Sequence, residues 1–275
     1  MPPQSYSTLP DEKATVTVAQ LAGKYRSVLS APVVADDFLS QVARTTPSHQ
    51  FLANSAQAVY GRQVAFLSAI LNDYQSVPTG QIKVLDWGCG KGHITYLLQN
   101  RGFDVTSCDV DRAIDDTTMF GQEAPIVQAR GIAVTPLRHS IDLPFRDQEF
   151  DCVVSFGVLE HVQSDLASLH EIRRVLKPGG IVYVTFLPYF LSWTQALARL
   201  RGIGYHDRLY NKRRLLRLAN SAKFQLASTS DGQLLPKNSV PISFDKALEP
   251  MDRFLCEHTP LKHFATNLEA LLVAI

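Results

Sequence analysis

Cysteine is scarce in this chain of 275 residues: Cys89, Cys108, Cys152 and Cys256 stand far apart and form no C-x-x-C pair. That leaves neither a redox pair nor a cysteine metal knuckle. It reads as reduced thiols in a cytosolic protein, three of them in or beside core strands. Neither sign of charge is in excess. With 27 Lys and Arg against 26 Asp and Glu, the net charge is +1, which removes any global signal for nucleic acid or a membrane surface. No apolar run approaches the length that spans a bilayer. Residues 1–9 are polar and lack the cationic start and apolar core of a signal peptide. Internal repeats and low-complexity tracts are absent too. What is present is an ordinary composition, 45% hydrophobic and 19% charged. It suits one large α/β domain with appended elements.

Hydrophobic spacing divides the chain in two. Residues 1–12 read as a loose tail, and 15–46 hold short helices. Between 48 and 74, Phe51, Leu52, Val59, Tyr60, Leu67 and Leu71 recur with helical period, and Val77-Pro78-Thr79-Gly80 then breaks the chain. From residue 81, strands at 82–87, 103–109, 133–138, 151–156 and 181–186 alternate with helices at 92–101, 112–120 and 164–176. Gly102 ends the first helix. Ser164 caps the third, whose stripe is Leu166, Leu169, Ile172 and Leu176. Such alternation implies a doubly wound, mostly parallel sheet. Further on, 188–210 read as a helical insertion and 211–222 as a helix capped by Asn211, with Leu215, Leu218, Ala219 and Ala222 inward. A strand at 224–230, a helix at 245–258 and a last strand at 264–275 complete the reading.

The chemistry centres on Val84-Leu85-Asp86-Trp87-Gly88-Cys89-Gly90-Lys91-Gly92-His93, a strand, a glycine turn and a helix start. Glycines at every second position permit positive φ and close approach of a ligand to the backbone. A dinucleotide fingerprint needs a third glycine where His93 stands, so the ligand is not read as a pyrophosphate. Asp109 ends the next strand about twenty residues on, the offset at which a carboxylate meets a ribose. Asp111 competes for that role.

The D-x-G-x-G-x-G spacing resembles motif I of the class I S-adenosylmethionine (SAM) methyltransferases. Ile141-Asp142-Leu143-Pro144-Phe145 and Phe150-Asp151-Cys152-Val153 resemble that superfamily's next motif, with His139 and Ser140 where the adenine is met. Leu159-Glu160-His161-Val162 resembles the ubiquinone-biosynthesis O-methyltransferases, where an E-x-x-E-H run is associated with a divalent metal. Gly157 replaces the first acid here, and Glu160 and His161 alone make a weak metal site. The thinner likeness at Tyr205-His206-Asp207 extends to the same branch. The resemblance implies a Rossmann-like α/β fold of about seven strands, the last antiparallel. It also implies SAM held by Asp86, Gly88, Cys89, Gly90, Gly92, Asp109, Val110, His139, Ser140, Ser155 and Phe156. N-terminal helices over 1–80 would cap a SAM-binding domain over 81–275, and an insertion at 188–210 would shape the acceptor pocket.

For an oxygen acceptor a base is needed, and His161, then His206, are the candidates; His93 is expected to pack or to contact the cofactor instead. Tyr189, Phe190, Trp193, Tyr205 and Tyr210 are read as pocket walls or cap core. Seven cations crowd 199–217 (Arg199, Arg201, Arg208, Lys212, Arg213, Arg214, Arg217), either a solvated face or a seat for an anionic acceptor. The expected partner is a small molecule, anionic or aromatic, methylated on a hydroxyl oxygen. Methylation of nitrogen or carbon, including on a lipid, and SAM binding without turnover stay open. The composition points away from nucleic acid.

Overall fold

The strands form where apolar residues run together, since a sheet covered on both faces has no outward polar side. The computed structural model describes residues 17–110, 124–202, 206, 208–235, 237 and 240–275. Three helices, α1 (Val18–Lys24), α2 (Asp37–Thr45) and α3 (Ala56–Tyr74), precede the sheet. Then come β1 (Lys83–Trp87), α4 (His93–Gln99), β2 (Asp104–Val110), α5 (Pro125–Arg130), β3 (Val134–Leu137) and β4 (Phe150–Phe156). They are followed by α6 (Asp165–Val175), β5 (Leu176–Pro188), α7 (Trp193–Leu200) and α8 (Lys212–Ser221). Last are β6 (Phe224–Gly232), α9 (Asp245–His258) and β7 (Asn267–Ala274).

The sheet order is β3-β2-β1-β4-β5-β7-β6. The first five strands are parallel, and β7 runs antiparallel to both its neighbours. Strand order reverses between β1 and β4, and ligands of such sheets settle beyond the carboxyl ends there. Cys152, Val153 and Val154 of β4 are fully buried; each valine contributes about 1.5–3 kcal/mol by leaving water. One face of the sheet packs Leu169, Ile172 and Leu215 against Val153 and Val182. On the other, Leu67 and Ile70 of α3 join Ile94 against Val84, Val154 and Ile181.

Three departures from the sequence reading have local causes. The helix expected over 48–74 is broken: a 3-10 turn covers Pro47–Ala53, and α3 starts only at Ala56. Between them the helical bonding is interrupted, because Ser55 N donates to Val240 O at 2.9 Å and Asn54 bridges to Pro241. The final strand starts at Asn267 because Pro260–Phe264 forms another 3-10 turn. Leu166, expected inside, is exposed, although Ser164 does cap α6. Asp111, Tyr205, Asp207, the helix expected at 112–120 and the tail at 1–12 lie outside the described residues.

A buried ion cluster closes α9 onto α3. Both Arg62 guanidinium nitrogens reach Asp245, at 2.6 and 2.9 Å, and Nη2 also donates to Glu249 at 2.8 Å. Lys237 bonds Glu249 and lies 2.6 Å from Asp252, while Arg253 reaches Glu249 at 3.2 Å. Three cations thus meet three carboxylates. The acids sit at positions i, i+4 and i+7 of α9, so the inward face of this helix is anionic rather than apolar.

Candidate functional site

The glycine turn after β1 is shaped by crowding. Gly88, Gly90 and Gly92 all have positive φ, at 77°, 51° and 79°. The N–H groups of Gly88 and Cys89 both donate to Cys108 O, at 2.9 and 3.0 Å, folding the turn over the end of β2. A Cβ on Gly88 would lie 2.5 Å from Val158, and one on Gly92 would lie 2.7 Å from Val127. At Gly90 the nearest atom would be Asp109 Oδ2, at 3.9 Å. Of the three, Gly90 is therefore the one whose Cβ would meet only ordinary van der Waals contacts, so the backbone is least crowded there.

Asp109 ends β2 beside it. Its Oδ2 accepts from Gly90 N at 2.6 Å and its Oδ1 from Val110 N at 2.7 Å. Each oxygen keeps acceptor capacity, and the residue is half-buried. Asp86 lies deeper. Thr95 Oγ1 donates to it at 2.6 Å and is 2.9 Å from Ser107 Oγ. Burial, with the charge of Asp109 nearby, pushes its carboxyl up to about 7. On the rim, His139 is exposed, and Ser140 accepts from Ser168 Oγ at 3.1 Å. Val110 and Ile141 are both exposed there, two apolar side chains next to Asp109 and Ser140. At the end of β4, Ser155 is buried with its hydroxyl unpartnered, and Phe156 is half-buried.

A second group gathers past β4. His161 Nε2 is 3.8 Å from Glu160 Oε1, and the His161 and His206 rings are 5.3 Å apart. Glu160 is buried, its Oε2 has no partner, and burial pushes its carboxyl up to about 7. One ligand atom from each of Glu160, His161 and His206 lies within 4.8 Å of the others, a set that could hold a divalent cation. The sequence reading counted only two of these; the fold adds His206.

Arg208 explains how the group is held. Its Nη1 donates to Val162 O at 2.7 Å and to Leu159 O at 3.3 Å, and its Nη2 donates to Gln163 O at 3.1 Å. Tyr210 OH donates to Leu159 O at 3.1 Å. One member of the basic cluster is thus a clamp on the loop that carries Glu160 and His161. Arg214 and Lys212 are also engaged, with Asp165 and Asp231, both at 2.8 Å. Arg199, Arg201, Arg213 and Arg217 are exposed.

Of the aromatics read as pocket walls or cap core, Tyr189 and Tyr210 are core. Tyr189 and Tyr210 bridge each other in the core, Phe190 faces outward, and Trp193 Nε1 donates to Leu234 O at 2.8 Å. Packing decides this, since the two tyrosines join the apolar layer under α8. The rings near the glycine turn are instead Phe51, Tyr60 and Phe186. His93 lies 4.6 Å from Tyr60 and 5.5 Å from Phe51, and Tyr60 lies 5.4 Å from Phe186. Phe186 holds a φ of 60°, uncommon for an aromatic residue. Burial, with His49 and Lys91 nearby, pushes His93 down to about 3, so it stays neutral and packs. Lys91 Nζ donates to Ser48 O, tying the 3-10 turn to the glycine loop. Phe51 and Tyr60 were legible only as a helical stripe.

Residues 85–184 match a family described as a methyltransferase domain. That stretch of the chain is a methyltransferase domain. Among the curated relatives of this methyltransferase domain is the tRNA (carboxymethyluridine(34)-5-O)-methyltransferase of Arabidopsis thaliana, 27% identical over 64% of this chain and 38% of that protein. The ubiquinone biosynthesis O-methyltransferase of Rickettsia conorii is 21% identical over 61% of this chain and 56% of its own length. The chain therefore spans little more than half, or less, of these two relatives. A solved SAM-dependent methyltransferase of Thermotoga maritima shares the fold, with a TM-score of 0.53 and 15% identity. It covers 94% of this chain and 98% of that one.

Proposed function

We propose that this chain transfers a methyl group from SAM to a hydroxyl oxygen of a small-molecule acceptor. The observation that carries the reading is that Gly90 and Asp109, and the Glu160–His161–His206 group, lie at or past the carboxyl ends of the strands β1, β2 and β4. The residues suit the cofactor. Gly90 leaves backbone room, and Asp109 retains acceptor capacity on both oxygens for two ribose hydroxyls. Val110 and Ile141 offer apolar surface to a flat base, with His139 and Ser140 at its edge. Asp86, Gly88, Cys89 and Gly92 shape the turn, and Ser155 and Phe156 stand where the methionine part would extend.

Bound SAM supplies an electrophilic methyl on a sulfonium. The protein's own work is then alignment and proton removal. A phenol loses its proton near pH 10, so a neutral imidazole in the cleft is useful. His161 is exposed enough to meet an acceptor, and Glu160 beside it can stabilise the imidazolium that forms. His206 stands next to it as the alternative base. Arg208 fixes the loop so that neither group must be ordered during the reaction.

Calorimetric titration with SAM, S-adenosylhomocysteine and an NADH control tests the cofactor. Only the adenosyl-sulfur ligands should bind. Asp109→Ala should weaken SAM by about 10–100-fold, because a hydrogen bond to a charged group contributes about 1.5–3 kcal/mol. Unchanged affinity would discard the ribose assignment. His161→Ala should lower kcat by about 10²–10⁴-fold with little change in SAM affinity. Full activity in that variant would move the role to His206 or to proximity alone. A tRNA acceptor is the second reading, supported by the name of the Arabidopsis relative. Transfer of tritiated methyl to total tRNA, and not to hydroxylated aromatics, would favour it.

A further inference from the structure

α9 is built inside out. Its acids Asp245, Glu249 and Asp252 are buried and held by Arg62, Lys237 and Arg253. Rolling the helix to bury its other side would strip three carboxylates of their partners. That other side carries Ala247, Pro250, Met251, Phe254 and His258, all exposed, at spacings that fall on one helical face. The 3-10 turns before and after it, Ile242–Phe244 and Pro260–Phe264, pack against α9 and add exposed Phe244, Leu261 and Phe264. Three of the four exposed phenylalanines among the described residues are thus gathered around one helix.

A gathered apolar patch marks an interaction surface, and charge and shape say of which kind. Lys246 is the one exposed Lys or Arg on α9, and no exposed residue of that helix is acidic. An anionic bilayer or an RNA draws on several cations, and this helix face offers one. Shape points to a second copy of the chain. Antiparallel packing about a two-fold axis between Pro250 and Met251 sets Phe254 of each copy on Ala247 of the other. Met251 then meets Pro250, so each long side chain faces a compact one. The two Lys246 side chains fall on opposite sides of the axis. Area agrees as well. Phe244, Met251, Phe254, Leu261 and Phe264 are 45–59% exposed, which at about 200 Å² for a large side chain offers about 500 Å² per copy. Two copies would bury about 1,000 Å² before any rim is counted, against about 1,200–2,000 Å² in stable interfaces.

We propose that the outer face of α9 is a homodimer interface, in which the helix pairs antiparallel with its own copy across a two-fold axis. The proposal does not depend on the cofactor, the acceptor or turnover. Sedimentation equilibrium of the full chain tests it, and the parent should be dimeric at micromolar concentration. Ala247→Glu, at an exposed helix position, should weaken association by about tenfold or more and leave the circular dichroism unchanged. If that variant misfolds, Met251→Glu serves instead, with the same loss expected. The pairing itself is tested by exchange. Ala247→Phe and Phe254→Ala should each weaken the dimer by about tenfold. The double variant Ala247→Phe/Phe254→Ala should regain most of that loss, because large and small partners only change sides. Leu200→Glu, at an exposed position on α7, should change nothing. Four results would overturn the proposal. One is a monomeric parent at micromolar concentration. Another is a dimer untouched by both glutamate variants. The third is a double variant no stronger than the weaker single one. The last is a monomer that sediments with phosphatidylglycerol vesicles and loses them on Ala247→Glu.

Discussion

Arg62→Leu should lower the free energy of unfolding by about 3–5 kcal/mol, the usual result of removing one partner from a buried ion pair. The whole stability of a domain is about 5–15 kcal/mol, so few other single changes should cost as much. Arg62 is 2% exposed and meets both oxygens of Asp245, itself 3% exposed. Leucine would leave that carboxylate without its guanidinium and with no access to water. Glu249 would keep Lys237 and Arg253, so the loss should concentrate on Asp245. The double variant Arg62→Leu/Asp245→Leu should therefore recover much of the stability, because two apolar side chains replace two buried charges. Urea denaturation of the three proteins decides it. A single variant within 1 kcal/mol of the parent would mean, by the same reasoning, that water reaches the cluster.

Asp86→Asn should act in the opposite direction, and only at neutral to alkaline pH. Burial raises this carboxyl from 3.8 to about 7 in the folded chain. Between those values the folded state holds a proton that the unfolded state has released, so stability falls as pH rises through the window. Below pH 4 both states are protonated and the penalty vanishes. Above pH 7 it reaches about 4 kcal/mol, at about 1.4 kcal/mol for each pH unit of the interval. Asparagine mimics the neutral acid and can still accept from Thr95. The variant should match the parent at pH 4 and exceed it by several kcal/mol at pH 8. Equal stability at both pH values would show that Asp86 is not desolvated as its surroundings imply.

The legible parts of this molecule were those in which neighbours in sequence are neighbours in space. β1, the glycine turn and α4 form one continuous stretch, so positive φ at Gly88, Gly90 and Gly92 could be anticipated from spacing alone. Asp109 was legible for the same reason, since it lies one strand further on and touches Gly90. The central strands were anticipated because a strand buried on both faces, such as β4, needs only apolar residues in a row. Distant partners were not legible. Arg62 and Asp245 are separated by 183 positions, and nothing near either one announces the other. The acids of α9 were on the page, but a helix is usually read with its apolar side inward, and here that rule gives the wrong face. His206 joined Glu160 only through the fold. The break at Asn54–Ser55 came from a bond to Val240, which no local pattern encodes. Tyr189 and Tyr210 went into the core because the layer beneath α8 needed filling.

The placement of β7 between β5 and β6 has a consequence for synthesis. β6 pairs with β7 alone, and β7 leaves the ribosome after it. The five parallel strands can therefore form while β6 still has no seat. α9 is made between the two strands, so Arg62 waits through most of translation for its carboxylates. During that interval the nascent chain carries an open edge on β5 and an unneutralised guanidinium on α3. Both are closed only after the stretch from Asp245 to Ala274 has emerged. A chaperone that shields sheet edges would be needed most in that interval, and a ribosome stalled inside α9 would release a chain that holds the glycine turn but lacks the partner strand of β5 and β6.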